Sequence, residues 1–261
     1  SLFVLFIFVV AALCAGLSPY DPDRMALGAR TLPPDAAHWF GTDEYGRDYF
    51  TRALYGGQIS LMVGFLAMLF STLIGTVVGT VSGYFGGWLD NLMMRAVDIL
   101  MAIPAFFLLL VVNAYLKPGV DNIILIISLL TWMNMSRLVR AETLSVKERE
   151  YVLYARASGE HPLRIIVRHI IPGVLPTIIV AATLNIASAI LMESTLSFLG
   201  LGVQAPAASW GSMLNNAQSY IGEASWLAMF PGILILLTVF SFNVLGDVFR
   251  TAFEPGANRD E

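Results

Sequence analysis

The sequence is poor in charged residues. Only 13% of its 261 residues are Asp, Glu, Lys or Arg, whereas a soluble domain carries about one charged residue in four. Hydrophobic residues make up 57%, and the mean hydropathy is +0.71. The stretches without any charge are residues 53–89, 170–192, 194–222 and 224–246. Because a bilayer span needs roughly 20 apolar residues, this composition excludes an ordinary soluble domain and indicates a membrane protein.

Basic residues and cysteine are also scarce. Lys and Arg number 15 against 19 Asp and Glu, which gives a net charge of −4. Nucleic-acid binding needs a basic face that releases counterions from phosphates, so nucleic acid is excluded as a partner. The one cysteine, Cys14, lies in an apolar run and cannot form an intrachain disulfide. We interpret it as a packing residue.

Signatures of catalysis and of metal binding are missing as well. The sequence has no GxxxxGK[ST], no HExxH, no GxSxG and no paired-cysteine spacing. The histidines His38, His161 and His169 fall in two different loops of the predicted topology, which rules out a three-histidine site. We therefore expect no enzyme active site, no metal site and no bound cofactor in this chain.

What the sequence does contain is a series of apolar runs. They predict an all-α, polytopic membrane protein with about six transmembrane helices. The candidate spans are residues 1–17, 58–82, 99–116, 122–136, 173–196 and 226–248. The first residue is Ser and no basic leader precedes the first run, so residues 1–17 are interpreted as a truncated first span rather than a signal peptide. The short run at 122–136 is expected to extend by a turn.

Charge around the spans predicts their orientation. Residues 137–168 carry seven of the 15 basic residues against four acidic ones, which places this segment in the cytoplasm by the positive-inside rule. Residues 18–52 then form an extracytoplasmic loop, and both termini lie in the cytoplasm. The remaining predicted segments are a membrane core at 53–248, its cytoplasmic loop at 137–172 and a cytoplasmic tail at 249–261.

Two segments are predicted not to span. Residues 18–52 contain four prolines and no helical period, so we expect an ordered loop. Residues 197–222 are uncharged but contain Gly200, Gly202 and Pro206. Because irregular backbone is not tolerated in contact with lipid, this second segment is predicted to be an external or half-inserted turn region rather than a seventh span.

A glycine repeat lies along the second span and just past its end. Gly75, Gly79, Gly83 and Gly87 recur every four residues, which lines them on one helix face and lets another backbone approach closely. They predict a helix-packing stripe, either within the chain or against another subunit. Pro104 lacks a backbone donor and predicts a kink in the third span.

Two acidic residues lie at predicted membrane depth, where a charge is costly and by default suggests a function. Asp98 is near the inner end of the third span, three residues after Arg95, with which it can pair. Glu193 is toward the outer end of the fifth span. It can face a translocation pathway, cap a helix break or pair with another chain. Both residues are candidate pathway groups, and structural roles for them stay open.

The most informative segment is residues 147–172. An amphipathic helix is predicted over 147–158, with Gly159 as its left-handed C-terminal cap and Pro162 in the first turn of a second helix. The chain is expected to turn at Pro172 and enter the fifth span. Such an amphipathic helix can dock in a groove of another protein or lie on the bilayer surface, and the residues alone leave both readings open.

Gly159 followed thirteen residues later by Pro172, with Ala155 ahead of them, resembles the cytoplasmic EAA loop of ABC importer permeases. Longer segments narrow the resemblance to the C-type transmembrane subunit of the dipeptide, oligopeptide and nickel family. They are HWFGTDEYGRDYFTRALYGGQISLMVG at 38–64, SGYFGGWLDNLMMRAVDILMAIP at 82–104 and ESTLSFLGLGVQAPAASWGSML at 193–214.

The resemblance implies a type I ABC importer permease fold with a cytoplasmic coupling helix. It implies a bacterial or archaeal cytoplasmic (inner) membrane, a second homologous permease of the B type, two cytoplasmic ATPases that hold ATP and magnesium, and an extracytoplasmic substrate-binding protein. Di- or oligopeptides would be imported by alternating access, with no chemical catalysis by this chain. The residues implied to dock on an ATPase are Tyr154, Ala155, Arg156, Ala157, Ser158, Gly159, Glu160, His161 and Pro172.

Two other functions stay open. A nickel or other small-solute importer permease has the same resemblance, and this chain has no metal cluster that decides between them. An ion-coupled secondary carrier would use Asp98 and Glu193 as a relay. The carrier is disfavoured because the sequence shows no inverted pair of broken helices.

Overall fold

The computed structural model describes residues 2–115 and 119–253 and is helical through most of them. Within those ranges there is no strand, only an isolated antiparallel bridge between Thr42 and Asp48. The helices are α1 (Leu2–Leu13), α2 (Tyr49–Phe85), α3 (Gly87–Met101), α4 (Ala105–Tyr115), α5 (Val120–Val146), α6 (Glu150–Ala157), α7 (Pro162–Ile165), α8 (Ile171–Phe198), α9 (Trp210–Ala217) and α10 (Trp226–Phe253). The predicted all-α class is confirmed.

Four helices are long and apolar enough to cross a membrane: α2, α5, the continuous run Pro162–Phe198 and α10. The first predicted span is a shorter apolar helix, Leu2–Leu17. The third predicted span, 99–116, is wrong as a single helix, because α3 ends and α4 begins around Pro104. A proline ring removes a helical hydrogen bond and restricts the residue before it, so the predicted kink is a complete break. Leu116 lies outside the described residues.

The predicted cytoplasmic loop is more helical than expected. Arg137, where the loop was predicted to begin, lies inside α5, which continues to Val146. At the other end the helix runs on through Pro172, so the predicted turn at that proline is wrong. A π-helical turn, Ile166–Ile170, lies immediately before it, and this wider turn makes room for a ring that would crowd the carbonyl four residues earlier. Of the predicted tail 249–261, the part after Phe253 is outside the described residues.

The chain divides into two compact units. The first comprises Ser1–Leu66, Tyr115–Leu125 and Ile186–Val244, and the second comprises Ala67–Ala114, Ile126–Asn185 and Leu245–Glu261. The boundaries between the units fall inside long helices. They therefore do not follow the segments that hydropathy predicts.

Trp210 organises the core of the first unit. A Cβ added at Gly57 would lie 2.9 Å from its ring, and its Nε1–H donates to the Ala53 carbonyl at 2.9 Å. In the same core, the Tyr49 hydroxyl donates to the Leu227 carbonyl at 2.5 Å. The polar ends of two buried aromatic residues are thus satisfied, and the start of α2 is fixed to α9 and α10.

Residues 18–48 form a loop that side-chain hydrogen bonds fix, whereas the last four residues of the predicted loop, 49–52, belong to α2. Asp43 accepts the backbone N–H of Arg47 at 2.9 Å and pairs with the Nε of Arg47 at 2.6 Å. Asp48 then accepts the backbone N–H of Thr51 at 2.8 Å, which is the bond of a helix N-cap. This cap explains why α2 begins at Tyr49, earlier than the predicted core boundary.

The segment 197–222 is not a span, as predicted. Its helix, α9, has eight residues, far fewer than a bilayer requires. Ser209 and Ser212 exchange side-chain to backbone hydrogen bonds in a capping box that starts α9. The residues before it, 199–209, form an irregular loop that we call the 199–209 loop.

Three of the four repeated glycines pack α2 against α5 in the second unit. An added Cβ would lie 2.6 Å from the Met135 Cβ at Gly75, 2.6 Å from the Ser136 carbonyl oxygen at Gly79 and 2.8 Å from the Thr143 Cβ at Gly83. No side chain fits at such separations, so the two backbones lie in close contact.

Gly87 does not belong to this stripe. α2 ends at Phe85, and Gly86 has a φ of +64° that only glycine adopts readily. A Cβ added at Gly87 would meet nothing within 4 Å. The four-residue spacing crosses the end of α2, where the helical phase is lost.

Candidate functional site

A tight turn joins α6 to α7. Gly159 has a φ of +77°, its N–H donates to the Arg156 carbonyl at 3.1 Å, and the Glu160 N–H donates to the Ala155 carbonyl at 3.1 Å. These two bonds make a Schellman motif, which satisfies the last carbonyls of α6. Pro162 occupies the first turn of α7. The predicted left-handed cap and the proline start of the next helix are confirmed.

Side chains fix the turn to the helix that follows it. The His161 Nδ1 accepts the Leu163 N–H at 3.3 Å, as an N-cap does. The Glu160 carboxylate lies 3.1 Å from the Nε2 of His169 and 3.9 Å from the Nε of Arg164. The turn is therefore held from both of its ends.

The inner face of α6 packs into the core of the second unit. Val152 is 2% exposed and belongs to the same cluster as Ile165, Ile170 and Val146, with Ala155 packed against its edge. These residues come from α5, α6, α7 and the π-helical turn. The α6–α7 turn is thus anchored on the ends of two long helices.

Three apolar side chains, one each from α6, α7 and the π-helical turn, are exposed. Tyr154 is 73% exposed, Leu163 60% and Val167 65%. The predicted docking residues that are exposed are Tyr154, Arg156, Ala157, Ser158, Gly159 and His161, while Ala155 and Glu160 are partly buried. Pro172 lies on α8 and not on the turn. The prediction covers Tyr154 to His161 and Pro172 and does not include Leu163 and Val167.

A second arrangement links the same region to α2 and α3. Asp90 accepts the Nε–H of Arg140 at 2.5 Å and an Nη2–H at 2.6 Å, a bidentate pair. The Ser82 hydroxyl also donates to Asp90. The Lys147 Nζ donates to the Gly83 carbonyl at 3.0 Å, at the last turn of α2. We call these five residues the Asp90 clamp.

The clamp sits next to the α6–α7 turn along the chain. Arg140 and Lys147 bracket the last turns of α5, and α6 begins at Glu150. The Arg140 guanidinium holds the pKa of Asp90 below its usual range, and the Ser82 hydroxyl adds to the effect. The clamp therefore stays charged at neutral pH.

Sequence reasoning missed the clamp. Its two charged partners, Asp90 and Arg140, are fifty residues apart, so no local spacing links them. The available signal was weaker: Asp90 is the first charge after the uncharged stretch 53–89. A charge at the end of such a stretch needs a partner when it is buried.

The two candidate pathway residues have different surroundings. Asp98 pairs with Arg137 of α5 and not with Arg95, which is the partner that the sequence predicts. Both Asp98 and Arg137 are about half exposed. Their contact joins α3 to α5, which a single sequence does not reveal. Glu193 is fully buried in the first unit and accepts hydroxyl donors, described below. A pathway role for either residue stays a prediction.

Four long apolar helices, two of them joined through a capped helical turn, are typical of the class of polytopic helical membrane proteins. The family described as binding-protein-dependent transport system inner membrane component matches residues 71–259. The chain belongs to that family.

Similar proteins cover nearly all of the chain. It is 44% identical to the dipeptide transport system permease protein DppC of Bacillus subtilis, over 98% of this chain and 80% of that protein. It is 43% identical to the glutathione transport system permease protein GsiD of Shigella flexneri, over 98% and 84%. It is 40% identical to the probable D,D-dipeptide transport system permease protein DdpC of Escherichia coli, over 92% and 81%.

The fold matches a solved transporter. An inward-facing structure of the MetNI methionine ABC transporter aligns with 77% of this chain and 95% of its own, with a TM-score of 0.65 and 20% identity. A second crystal form of the same transporter aligns with a TM-score of 0.63. At this identity the likeness shows the fold alone. With the family match, it confirms the predicted ABC importer permease.

Proposed function

We propose that this chain is the permease subunit through which an ABC importer moves di- or oligopeptides across the cytoplasmic membrane. The observation that carries the proposal is the 40–44% identity, over 92–98% of the chain, to permeases named for dipeptide, D,D-dipeptide and glutathione transport. These three cargoes are all amino acids joined through amide bonds. A peptide is therefore the cargo class that the relatives support together.

The α6–α7 turn is the surface proposed to dock on an ATPase subunit. A helix can bind a groove of a partner through its apolar side, while charged neighbours set its orientation. Tyr154 and Leu163 supply exposed apolar surface, and Arg156 supplies an exposed charge between them. In this proposal ATP and magnesium bind to the partner ATPases.

The proposal includes a defined assembly and orientation. A second, B-type permease completes the membrane part, two cytoplasmic ATPases bind below it, and an extracytoplasmic binding protein delivers the peptide. Residues 18–52 face outside, and both termini face the cytoplasm. The basic segment 137–168 supports this orientation through the positive-inside rule.

Two connections carry movement of the turn into the membrane helices. The first is the unbroken helical run Pro162–Phe198, because α7 continues through the π-helical turn into α8. The second is the Asp90 clamp, which ties the end of α5 to α2 and α3. ATP binding can shift the equilibrium between outward-open and inward-open forms only by favouring one of them.

The cargo is tested with the complex purified from native membranes and reconstituted into proteoliposomes. Labelled dipeptide and labelled nickel are offered with the co-purified binding protein, with ATP present and with or without a protonophore. We expect ATP-dependent dipeptide uptake that persists when the proton gradient is collapsed. Nickel uptake without dipeptide uptake would assign a metal cargo, and loss of uptake with the protonophore would indicate an ion-coupled carrier.

The docking surface is tested separately by Leu163→Asp. A charge on this exposed side chain should remove the ATPase from the purified complex, whereas Leu27→Asp, at a similarly exposed position in the loop 18–52, should not. Co-purification of the ATPase with the Leu163→Asp chain at normal yield would contradict docking through this face.

A further inference from the structure

Glu193 is a carboxylate without a charged partner among the described residues. It is 0% exposed, and the hydrogen bonds it accepts within those residues come from serine hydroxyls. The Ser60 hydroxyl donates to Oε2 at 3.0 Å and the Ser197 hydroxyl donates to Oε1 at 2.7 Å. Ser194 is farther, at 3.5 Å from Oε2. Both carboxylate oxygens are therefore used as acceptors.

The two closer serines also accept bonds from backbone groups. The Val203 N–H donates to the Ser197 Oγ at 3.1 Å, and the Trp210 N–H donates to the Ser60 Oγ at 3.3 Å. A hydroxyl has one hydrogen and two lone pairs, so each serine can donate its hydrogen to Glu193 and accept from the backbone at the same time. The carboxylate thus orients two hydroxyls that bind the backbone at Val203, within the 199–209 loop, and at Trp210, directly after it.

The packing around this arrangement leaves little freedom. A Cβ at Gly202 would lie 2.1 Å from the Ser197 Oγ, and one at Gly211 would lie 2.5 Å from the Ser194 carbonyl oxygen. Both positions require glycine because the loop and the start of α9 lie directly on the backbone of α8. Close contact therefore holds the loop in place, together with two chains of hydrogen bonds. One runs from the Val203 N–H through Ser197 to Glu193 and the other from the Trp210 N–H through Ser60 to Glu193; we call them the serine relays.

The loop so held is one wall of a cavity. Residues 204–207 line a space of about 460 Å³ together with Arg47, Arg52 and Asn216. Arg47 and Arg52 come from the loop 18–52 and the start of α2, which the proposed orientation places outside the membrane. The cavity therefore opens on the face where a binding protein delivers cargo.

We propose that Glu193 is the positioning residue of the 199–209 loop, and that it sets one wall of the outer cavity through Ser60 and Ser197. It does not touch the peptide. Its carboxylate fixes two hydroxyls, the hydroxyls fix the backbone at Val203 and Trp210, and the loop between them keeps its shape. The uptake part of this inference, and the position of the cavity on the outer face, rest on the proposed function.

The test measures loop mobility in the assembled complex. Cys14, which is exposed, is replaced by Ser, and a nitroxide is attached at Ala207→Cys in the loop. A second label at Glu223→Cys, outside the loop, is the reference site. Each label is combined with Glu193→Gln, Ser197→Ala, Ser60→Ala or Ser194→Ala, the last being a buried serine of α8 that relays to no loop N–H in the described chain.

Glutamine should break one relay, because its NH₂ is a donor where the serine needs an acceptor. We expect the nitroxide at position 207 to become mobile in Glu193→Gln and Ser197→Ala, to change less in Ser60→Ala, and to stay immobile in Ser194→Ala. The label at position 223 should stay unchanged throughout. Uptake should show an apparent KM raised about tenfold, the effect of losing one hydrogen bond to a charged group, with a smaller change in kcat.

Two results would overturn the inference. An unchanged spectrum at position 207 in Glu193→Gln means that the carboxylate does not position the loop. Mobility at both 207 and 223 means that Glu193 supports the fold as a whole. If Glu193→Gln does not assemble, the single serine variants decide, because each removes one relay and keeps the carboxylate. The mobility readout holds for any cargo, so a failed peptide assignment would not affect it.

Discussion

Asp90 and Glu193 are both buried carboxylates, and the molecule holds them in opposite ways. Asp90, in the second unit, faces a bidentate guanidinium from Arg140. Glu193, in the first unit, faces the hydroxyls of Ser60 and Ser197. The first is an ion pair between helices, and the second is a centre for neutral donors that organise a loop.

The difference predicts which substitutions each site tolerates. A buried ion pair is costly when one partner is removed, because the remaining charge is left without compensation. A carboxylate with neutral donors depends instead on having two acceptor oxygens in the right places. Charge is thus the sensitive property at Asp90, and hydrogen-bond geometry is the sensitive property at Glu193.

The largest effect is expected from Arg140→Met, which keeps the length of the side chain and removes its charge. Breaking a buried pair costs about 3–5 kcal/mol, and because Arg140 is 32% exposed we expect the lower end. The measurement is the thermal unfolding midpoint of the purified complex. The double variant with Asp90→Asn should be less damaged than Arg140→Met alone. A double variant that loses the sum of both single effects would show that charge is not what matters here.

Gly79→Ala should disturb the Asp90 clamp by forcing apart the backbones of α2 and α5. The new Cβ would lie 2.6 Å from the Ser136 carbonyl and 2.9 Å from the Arg140 backbone nitrogen, so α2 and α5 must separate, at about 1–3 kcal/mol for overpacking. The measurement is again the thermal unfolding midpoint of the purified complex. Gly232→Ala is the matched control, because a Cβ there meets nothing within 4 Å. Equal stability of the two variants would contradict close packing of α2 on α5.

Glu193→Gln tests the other half of the comparison. It removes the charge without changing shape, yet we expect a loss of about 1–2 kcal/mol, because one serine relay loses its acceptor. The unfolding midpoint is compared with that of Glu193→Leu, which removes both acceptors and should cost more. A neutral effect of glutamine would mean that the two buried carboxylates do not differ as described.

Gly159→Leu should separate ATP hydrolysis from uptake. A side chain at a φ of +77° costs about 1–2 kcal/mol and disrupts the Schellman turn on which the exposed face of α6 depends. Proteoliposomes with this variant should hydrolyse ATP with reduced peptide uptake per ATP. Gly28→Leu, where a Cβ meets nothing within 4 Å, is the control. Wild-type uptake by Gly159→Leu at equal membrane levels would sink the proposed coupling role of the turn.

Local features were predictable from the sequence, and contacts between distant segments were not. Gly159 and Pro162 act on their own backbone, so their residue types alone indicate a left-handed cap and a helix start. Gly75, Gly79 and Gly83 share a helix, so their spacing indicates a common face, and the pattern failed only where the helix ends before Gly87.

The contacts that the sequence does not predict have a common cause. Asp90 with Arg140, and Glu193 with Ser60, are joined across 50 and 133 residues, and hydropathy carries no information on pairing. Pro104 and Pro172 show the limit of residue type: one breaks its helix and the other is accommodated by a π-helical turn. Which outcome occurs depends on how the neighbouring turn packs, and a single sequence does not state it.

The smallest effect is expected at Asp98, and it completes the comparison. Its pair with Arg137 joins the same two helices as the Asp90 clamp, but both partners are about half exposed, and exposed pairs contribute about 0–1 kcal/mol. Asp98→Asn should therefore leave the unfolding midpoint and uptake close to wild type, and uptake should be lower in Glu193→Gln than in Asp98→Asn. The reverse order, measured in proteoliposomes at matched protein levels, would move the pathway hypothesis to α3, since an exposed carboxylate that contributes little to stability is left with transport as its role.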